Sequence, residues 1–122
     1  MDVSKQSLTI VIPNWNGVEF LKKCITSVVK AIDIYGKDCE IIVVDNASSD
    51  ESIDYLNNNF PQVRIITLKE NLGFAKAMNI GIRQAVSPIV IGLNNDTIAD
   101  KDFIAPLVNH FSNNGDIFAV AA

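Results

Sequence analysis

The sequence is poor in the residues that build most metal and hydrolytic sites. It has one histidine, His110, so a histidine-rich zinc site or a Ser-His-Asp triad is nearly impossible to form. Its two cysteines are too few for a disulfide framework. Both lie among aliphatic residues, so we interpret them as buried thiols, which fit a reducing compartment and a cytoplasmic protein.

Positive charge and long apolar runs are scarce as well. Lysine and arginine number 10 against 14 acidic residues, a net charge of −4, so we expect no nucleic-acid partner. No apolar run approaches the ~20 residues that span a bilayer, so we expect no membrane span in this chain. With 48% hydrophobic and 20% charged residues in 122, the composition is that of one globular domain.

Short β-branched runs alternate with helical patterns along the chain. The runs predicted as strands, which are almost continuously apolar, are Leu8–Ile12, Glu40–Val44, Val63–Leu68, Ile89–Leu93 and Ile117–Ala122. Apolar spacings of three and four predict helices around Phe20–Ile32, through Ile53 and Leu56, over Phe74–Ala85 and over Asp102–Phe111. This alternation predicts an α/β fold with a mainly parallel sheet flanked by helices.

Polar residues near the first two strands also predict where helices begin. The pairs Asn16 with Glu19 and Ser48 with Glu51 have capping-box-like spacing, which predicts the starts of the first and second helices. We interpret Asp50 as part of the start of the second helix.

Short polar residues follow each of the first four strands, in the segments Pro13–Gly17, Asp45–Asp50, Glu70–Gly73 and Asn94–Thr97. In an open parallel sheet, ligands bind outside the carboxyl ends of the strands, so these segments predict a binding site. The glycine motifs of dinucleotide-binding and P-loop proteins are absent from the sequence. A bound phosphate would therefore need a divalent cation.

Two aspartates are the main candidates at this edge of the sheet. Asp96 is the best candidate to hold Mg²⁺ or Mn²⁺ together with substrate phosphate oxygens. The carboxylate of Asp45 only accepts hydrogen bonds, so it suits the N–H groups of uracil, thymine or guanine, with Trp15 as an apolar wall. We expect the two carboxylates to converge on one hollow. The alternative is that both are ordinary turn residues at strand ends.

Four segments, in this order, resemble the family 2 glycosyltransferases, most of all the bacterial branch with rhamnosyltransferase-like members. They are Ile10–Asn16, Ile41–Asp50, Asn71–Ala75 followed by Asn79-x-Gly81-Ile82, and Leu93–Thr97. The resemblance implies a Rossmann-like GT-A fold. It also implies that residues 1–122 are the nucleotide-sugar-binding N-terminal part of a glycosyltransferase domain, truncated before its acceptor-binding half.

The resemblance further implies roles for single residues. The residues that it places at the nucleotide are Pro13, Asn14, Trp15, Asp45, Gly73, Lys76 and Asn95. It places Asp96 on the metal, Asn95 near the ribose or donor sugar, and Lys76 near a phosphate. The alternative for Lys76 is a lysine on a solvated helix face. The sequence departs from the pattern at Asn94 and Asn95, where many relatives carry carboxylates, and at Met78, where many carry arginine.

The implied reaction is metal-assisted transfer of a sugar, with inversion, from a UDP-, dTDP- or GDP-linked donor to the hydroxyl of a saccharide or lipid-linked acceptor. The general base of the family belongs to the acceptor-binding half, so no catalytic residue is assigned here. We expect this chain to bind the donor only and to show no turnover, while the full-length protein could associate with a membrane. The alternative is a non-catalytic nucleotide-binding or interaction module of the same fold.

Overall fold

The computed structural model of the chain describes residues 7–113, with side chains through residue 109. Within this range strands and helices alternate. They are β1 (Leu8–Asn14), α1 (Val18–Tyr35), β2 (Cys39–Asp45), α2 (Ser52–Asn59), β3 (Arg64–Thr67), α3 (Phe74–Gln84), β4 (Ile89–Gly92) and α4 (Ile104–Asn113). The strand predicted over Ile117–Ala122 lies outside the described residues.

The four strands form one sheet in the order β3-β2-β1-β4, and every neighbouring pair is parallel. The prediction of an α/β fold with a parallel sheet is therefore confirmed. In the register, Asn14 at the end of β1 stands beside Asp45 at the end of β2. The polar segments that follow the strands consequently meet at one edge of the sheet, which we call the carboxyl edge.

Helices cover both faces of the sheet. One apolar cluster joins alternate residues of β1, such as Leu8 and Ile10, to the buried side of α1 and to parts of α2 and α4. The opposite cluster is smaller and joins Val11 to Ala77 of α3. Gly81 lets α3 approach closely, since a Cβ at this position would lie 2.3 Å from the Cγ1 of Val11. No helix in the described range is long and apolar enough to cross a membrane.

The predicted capping role of Asn16 is wrong. Helix α1 has Gly17 at its N-cap, without a side-chain capping bond. Asn16 instead has a positive φ of 46°, and its Oδ1 accepts hydrogen bonds from the backbone N–H groups of Ser49 (2.7 Å) and Asp50 (3.2 Å). The side chain therefore holds the loop after β2 and does not cap its own helix.

Asp50, which is distant in sequence, supplies the cap that α1 lacks at its own N-terminus. Its Oδ2 accepts the backbone N–H of Val18 at 3.0 Å, and its Oδ1 accepts the backbone N–H of Ser52 at 3.0 Å. One carboxylate thus stabilises the first turns of both α1 and α2. Its predicted helix-start role is confirmed, whereas the predicted cap at Ser48 is wrong because that side chain binds Asp45 instead.

Candidate functional site

A chain of hydrogen-bonded side chains runs across three neighbouring segments of the carboxyl edge. The Nδ2 of Asn14 donates to Asp45 Oδ1 at 3.1 Å, and the Nδ2 of Asn95 donates to Asn14 Oδ1 at 2.9 Å. Asp45 and Asn14 are only 1% and 2% exposed. We call this hydrogen-bonded series, Asp45–Asn14–Asn95, the amide relay. It forms because the parallel register sets the two strand ends side by side.

Asp45 also shapes the turn that follows β2. Its Oδ2 accepts the backbone N–H of Ser48 at 2.9 Å, and its Oδ1 accepts the Ser48 hydroxyl at 2.7 Å. The turn interpretation of Asp45 is therefore correct. Its contact with a nucleobase stays a prediction, and Oδ2 is the oxygen that retains the greater capacity to accept a further hydrogen bond.

A hollow of about 270 Å³ opens beside the relay, lined by Pro13, Phe74, Asn94, Asn95 and Asp96. Three predicted site residues, Pro13, Asn95 and Asp96, are therefore brought together. Asp45 is not among these lining residues, because it is buried and connects to the hollow through Asn14 and Asn95. The convergence of the two carboxylates on one hollow therefore stays a prediction.

Asp96 is the carboxylate that remains available at this hollow. It is exposed, and none of the described residues donates a hydrogen bond to it or pairs with it as a cation. The negative charge of Asp96 also acts on Cys24: burial first, and this charge second, raise the pKa of the Cys24 thiol to about 11. That thiol is therefore neutral, and its Sγ lies 3.8 Å from the carbonyl oxygen of Asn94.

The donor set at the hollow fits one kind of cation site. Within residues 7–109, no group of three His, Cys, Asp or Glu side chains could enclose a metal. One free carboxylate beside an amide oxygen instead suits Mg²⁺ or Mn²⁺, which bind through one or two carboxylates and take further oxygens from water and substrate phosphates. The residues present thus fit a cation that binds together with a diphosphate.

Two further residues that sequence reasoning did not single out for the site help to form it. Asn46, only 4% exposed, accepts the backbone N–H of Leu72 at 3.0 Å and donates to the carbonyl of Gly73 at 3.2 Å. It thereby fixes the start of α3, where Phe74 reaches the hollow while 55% exposed. Both lie within the recognised segments, but the pattern does not show which polar residue is buried.

Gly73 and Trp15 also lie at the carboxyl edge, although neither lines the hollow. Gly73 precedes α3 with a φ of 88° and a ψ of 166°, a conformation that is open essentially to glycine alone. Trp15 follows β1 and is 55% exposed. Their contacts with a nucleotide stay predictions.

Lys76 lies in a different place from the hollow. It is exposed on α3 and lines a second hollow of about 250 Å³ together with Leu72, Asn79, Ile80 and Arg83. Among residues 7–109, the two hollows share no lining residue. The structure thus separates Lys76 from the group around Asp96, and its predicted contact with a phosphate is without geometric support in this structure.

Comparison with known proteins identifies the family. A sequence model described as "Glycosyl transferase family 2" matches residues 9–122. The chain belongs to glycosyl transferase family 2. The matched range includes every residue of the amide relay and of the hollow beside it. The comparisons leave the rhamnosyltransferase-like branch as a prediction.

Two curated proteins illustrate the relatives of this family 2 chain. It is 34% identical over 116 residues to the undecaprenyl-phosphate 4-deoxy-4-formamido-L-arabinose transferase of Pectobacterium carotovorum subsp. carotovorum (strain PC1), covering 92% of the chain and 36% of that protein. It is 30% identical over 120 residues to the poly-beta-1,6-N-acetyl-D-glucosamine synthase of Staphylococcus aureus (strain COL), covering 94% and 28%. The chain thus spans about a third of the length of these relatives.

Solved structures support the fold assignment. The mannosyltransferase PcManGT from Pyrobaculum calidifontis, in complex with GDP-Man and Mn²⁺, superposes with a TM-score of 0.76 at 23% identity, covering 88% of this chain and 33% of that one. S. aureus TarS in complex with UDP gives 0.74 at 18% identity, covering 88% and 32%. The family 2 chain therefore has the Rossmann-like GT-A fold of these glycosyltransferases.

Proposed function

We propose that this chain is the nucleotide-sugar-binding part of a glycosyltransferase, with the acceptor-binding half lying beyond residue 122. The protein would transfer a sugar from a UDP-, dTDP- or GDP-linked donor to the hydroxyl of a saccharide or lipid-linked acceptor. The observation that carries the proposal is the unpaired Asp96 carboxylate, which lies beside Asn95 in a hollow at the carboxyl edge. The names of the relatives, which include a transferase and a polysaccharide synthase, support the reaction class.

The donor would bind across this edge of the sheet. Asp96 would hold Mg²⁺ or Mn²⁺, and the bound cation would supply charge stabilisation for the departing diphosphate. Pro13 and the exposed ring of Trp15 would contact the base, and Asp45 would orient it through its remaining acceptor position. Asn95 would accept a hydrogen bond from a ribose or sugar hydroxyl.

The remaining nucleotide contacts come from neighbouring segments. Gly73 would let the backbone before α3 approach the nucleotide, because no side chain occupies that position. Asn14 contributes through its partners, since it is buried. Lys76 is the weakest member of the set, because it lines the separate hollow on α3.

Transfer with inversion needs a general base within hydrogen-bond reach of the acceptor hydroxyl. In our proposal this base belongs to the acceptor-binding half, so the 122-residue chain binds the donor and shows no turnover by itself. Both cysteines are free thiols, which supports the cytoplasmic location that we propose. Release of free sugar or transfer to an acceptor by the purified chain would contradict the placement of the general base outside this chain.

Calorimetric titration tests the donor site directly. UDP, dTDP and GDP are each titrated into the chain with and without Mn²⁺, and the titrations are repeated on Asp96→Asn and Asp45→Asn. We expect metal-dependent binding of at least one nucleotide, with the dependence on Mn²⁺ lost in Asp96→Asn. Asp33→Asn is the matched control, because it removes an exposed carboxylate from the far end of α1. Circular dichroism of each variant checks that the fold is kept.

A second candidate function is a non-catalytic nucleotide-binding or interaction module of the same fold. Two observations favour it: Asp45 is already engaged by Ser48 and Asn14, and Asp96 is the single carboxylate among the described residues that line the hollow. This candidate would be favoured over the transferase if nucleotide affinity is unchanged by Mn²⁺ and by both substitutions. It would also be favoured if a folded chain binds none of the three nucleotides.

A further inference from the structure

The chemistry of Asp45 determines how Asn14 is oriented. An ionised carboxylate only accepts hydrogen bonds, whereas an amide side chain has one donating and one accepting end. Asn14 must therefore turn its Nδ2 towards Asp45, and the same nitrogen lies 3.4 Å from the Ser48 hydroxyl oxygen. Because Ser48 gives its own hydroxyl proton to Asp45, it can accept one from Asn14.

The orientation of Asn14 in turn determines that of Asn95. With its nitrogen engaged, Asn14 presents Oδ1 to Asn95, and only the Nδ2 end of Asn95 can pair with an oxygen. The Oδ1 of Asn95 is then left for the hollow beside Asp96. No described residue donates a hydrogen bond to this oxygen, so it is free to meet a ligand.

Gly17 closes the relay from the side of α1. A Cβ at this position would lie 2.3 Å from Asn95 Nδ2 and 2.9 Å from Asn14 Oδ1. The backbone before α1 therefore leaves space for the hydrogen bond between these two amides and for little else. The contact restricts the positions that the Asn95 amide can adopt.

We propose that Asn14 is a positioning residue. Because Asp45 holds the Nδ2 of Asn14, the Oδ1 of Asn14 holds the Nδ2 of Asn95, and Asn95 therefore faces the hollow with its carbonyl oxygen. Together with Asp96, Asn95 then presents oxygen acceptors to the hollow. These acceptors favour a hydroxyl group or a hard cation. The ligand preference rests on the proposed function, whereas the orientation of the amides does not.

Hydrogen exchange of side-chain amides tests the orientation without any ligand. In the ¹⁵N-labelled chain, we expect a side-chain N–H proton of Asn95 to exchange about tenfold more slowly than those of the exposed Asn58. Asn14→Leu, which has a similar size but no polar atoms, should abolish this difference. Asn14→Thr should restore part of it, because one hydroxyl can donate to Asp45 and accept from Asn95.

Binding of Mn²⁺ alone, followed by electron paramagnetic resonance, tests the consequence for the hollow. We expect about tenfold weaker binding in Asn14→Leu, which is the usual loss when a residue that orients a metal ligand is removed. Asn14→Thr should recover part of the affinity, and Asn58→Leu, at an exposed position of α2, should leave it unchanged.

The outcomes separate this inference from the proposed function. If Asn95 exchanges as fast as Asn58 in the wild-type chain, or if a folded Asn14→Leu keeps the slow exchange, the inference is wrong. If the wild-type chain binds no Mn²⁺, the metal role of Asp96 fails, while the exchange data still decide the orientation. If Mn²⁺ binds equally well to the wild-type chain and to folded Asn14→Leu, Asn14 does not position the hollow. If Asn14→Leu does not fold, the wild-type chain and Asn14→Thr still give the exchange comparison.

Discussion

Replacing Asp50 with alanine should weaken the starts of two helices at once. The substitution removes acceptors from the Val18 N–H at the start of α1 and from the Ser52 N–H at the start of α2. It also removes the partner of the Ser52 hydroxyl. Loss of one N-cap acceptor costs about 1 kcal/mol of stability, so we expect about 2 kcal/mol for the two helices together.

The same carboxylate makes a pH-dependent contribution. Burial would raise the pKa of Asp50, but hydrogen bonds from the Ser52 hydroxyl and from the Ser52 and Val18 backbones outweigh it and lower the pKa below its ordinary value of 3.8. Because the folded-state pKa is the lower one, the stabilisation is fully present above the ordinary value. It is lost as the pH falls through the folded-state value.

Urea denaturation followed by circular dichroism measures both effects. At about pH 7, a loss of 2 kcal/mol should lower the urea midpoint by about 1–2 M. Asp50→Asn keeps one acceptor oxygen and should lose about half as much. Asp54→Ala is the control, since it removes an exposed carboxylate from the first turn of α2 to which no residue in the described range donates a hydrogen bond. The reasoning fails if Asp50→Ala is no more destabilised than Asp54→Ala, or if the Asp50→Asn difference persists unchanged in strong acid.

Three further perturbations address packing, loop support and thiol chemistry. Gly81→Ala should destabilise the chain by about 1–2 kcal/mol, although alanine has the better helix propensity, because the new Cβ would lie 2.3 Å from Val11 Cγ1. An unchanged or raised melting temperature would contradict this. Asn46→Ala should speed hydrogen exchange of the Leu72 backbone N–H by at least about tenfold, because its acceptor is lost, and unchanged exchange would show that the loop holds itself. Cys24 should resist iodoacetamide at about pH 8, as judged by mass spectrometry, because it is buried and its pKa is raised to about 11; rapid labelling of the folded chain would refute this.

Much of the architecture follows from local patterns. The β-branched runs and the spacings of three and four predict every strand and helix in the described range to within a few residues. The helix starts are less predictable, because Asp50 caps α1 from 32 residues further along the chain. A spacing rule that compares neighbours in sequence cannot detect a partner that only the folded sheet brings near.

The candidate site shows the same limit. The order of the polar segments predicts the carboxyl edge and the family, and it brings Asn95 and Asp96 to one hollow. The burial of Asp45 and Asn14 depends on their register in neighbouring strands, which no single segment encodes. The contribution of Phe74 depends in the same way on how Asn46 anchors the start of α3.

The loops after β1 and β2 depend on each other. Asn16, in the first loop, binds the backbone of the second, and Asp50, in the second loop, caps α1 after the first. Insertions or segment swaps in either loop would therefore disrupt both. Residues 97–103 are connected differently, through the hydroxyl of Ser27 and the Ala99 N–H at 2.9 Å. Changes to the proposed binding site should accordingly begin with this loop after β4, where substitutions leave the hydrogen bonds of Asn16 and Asp50 intact.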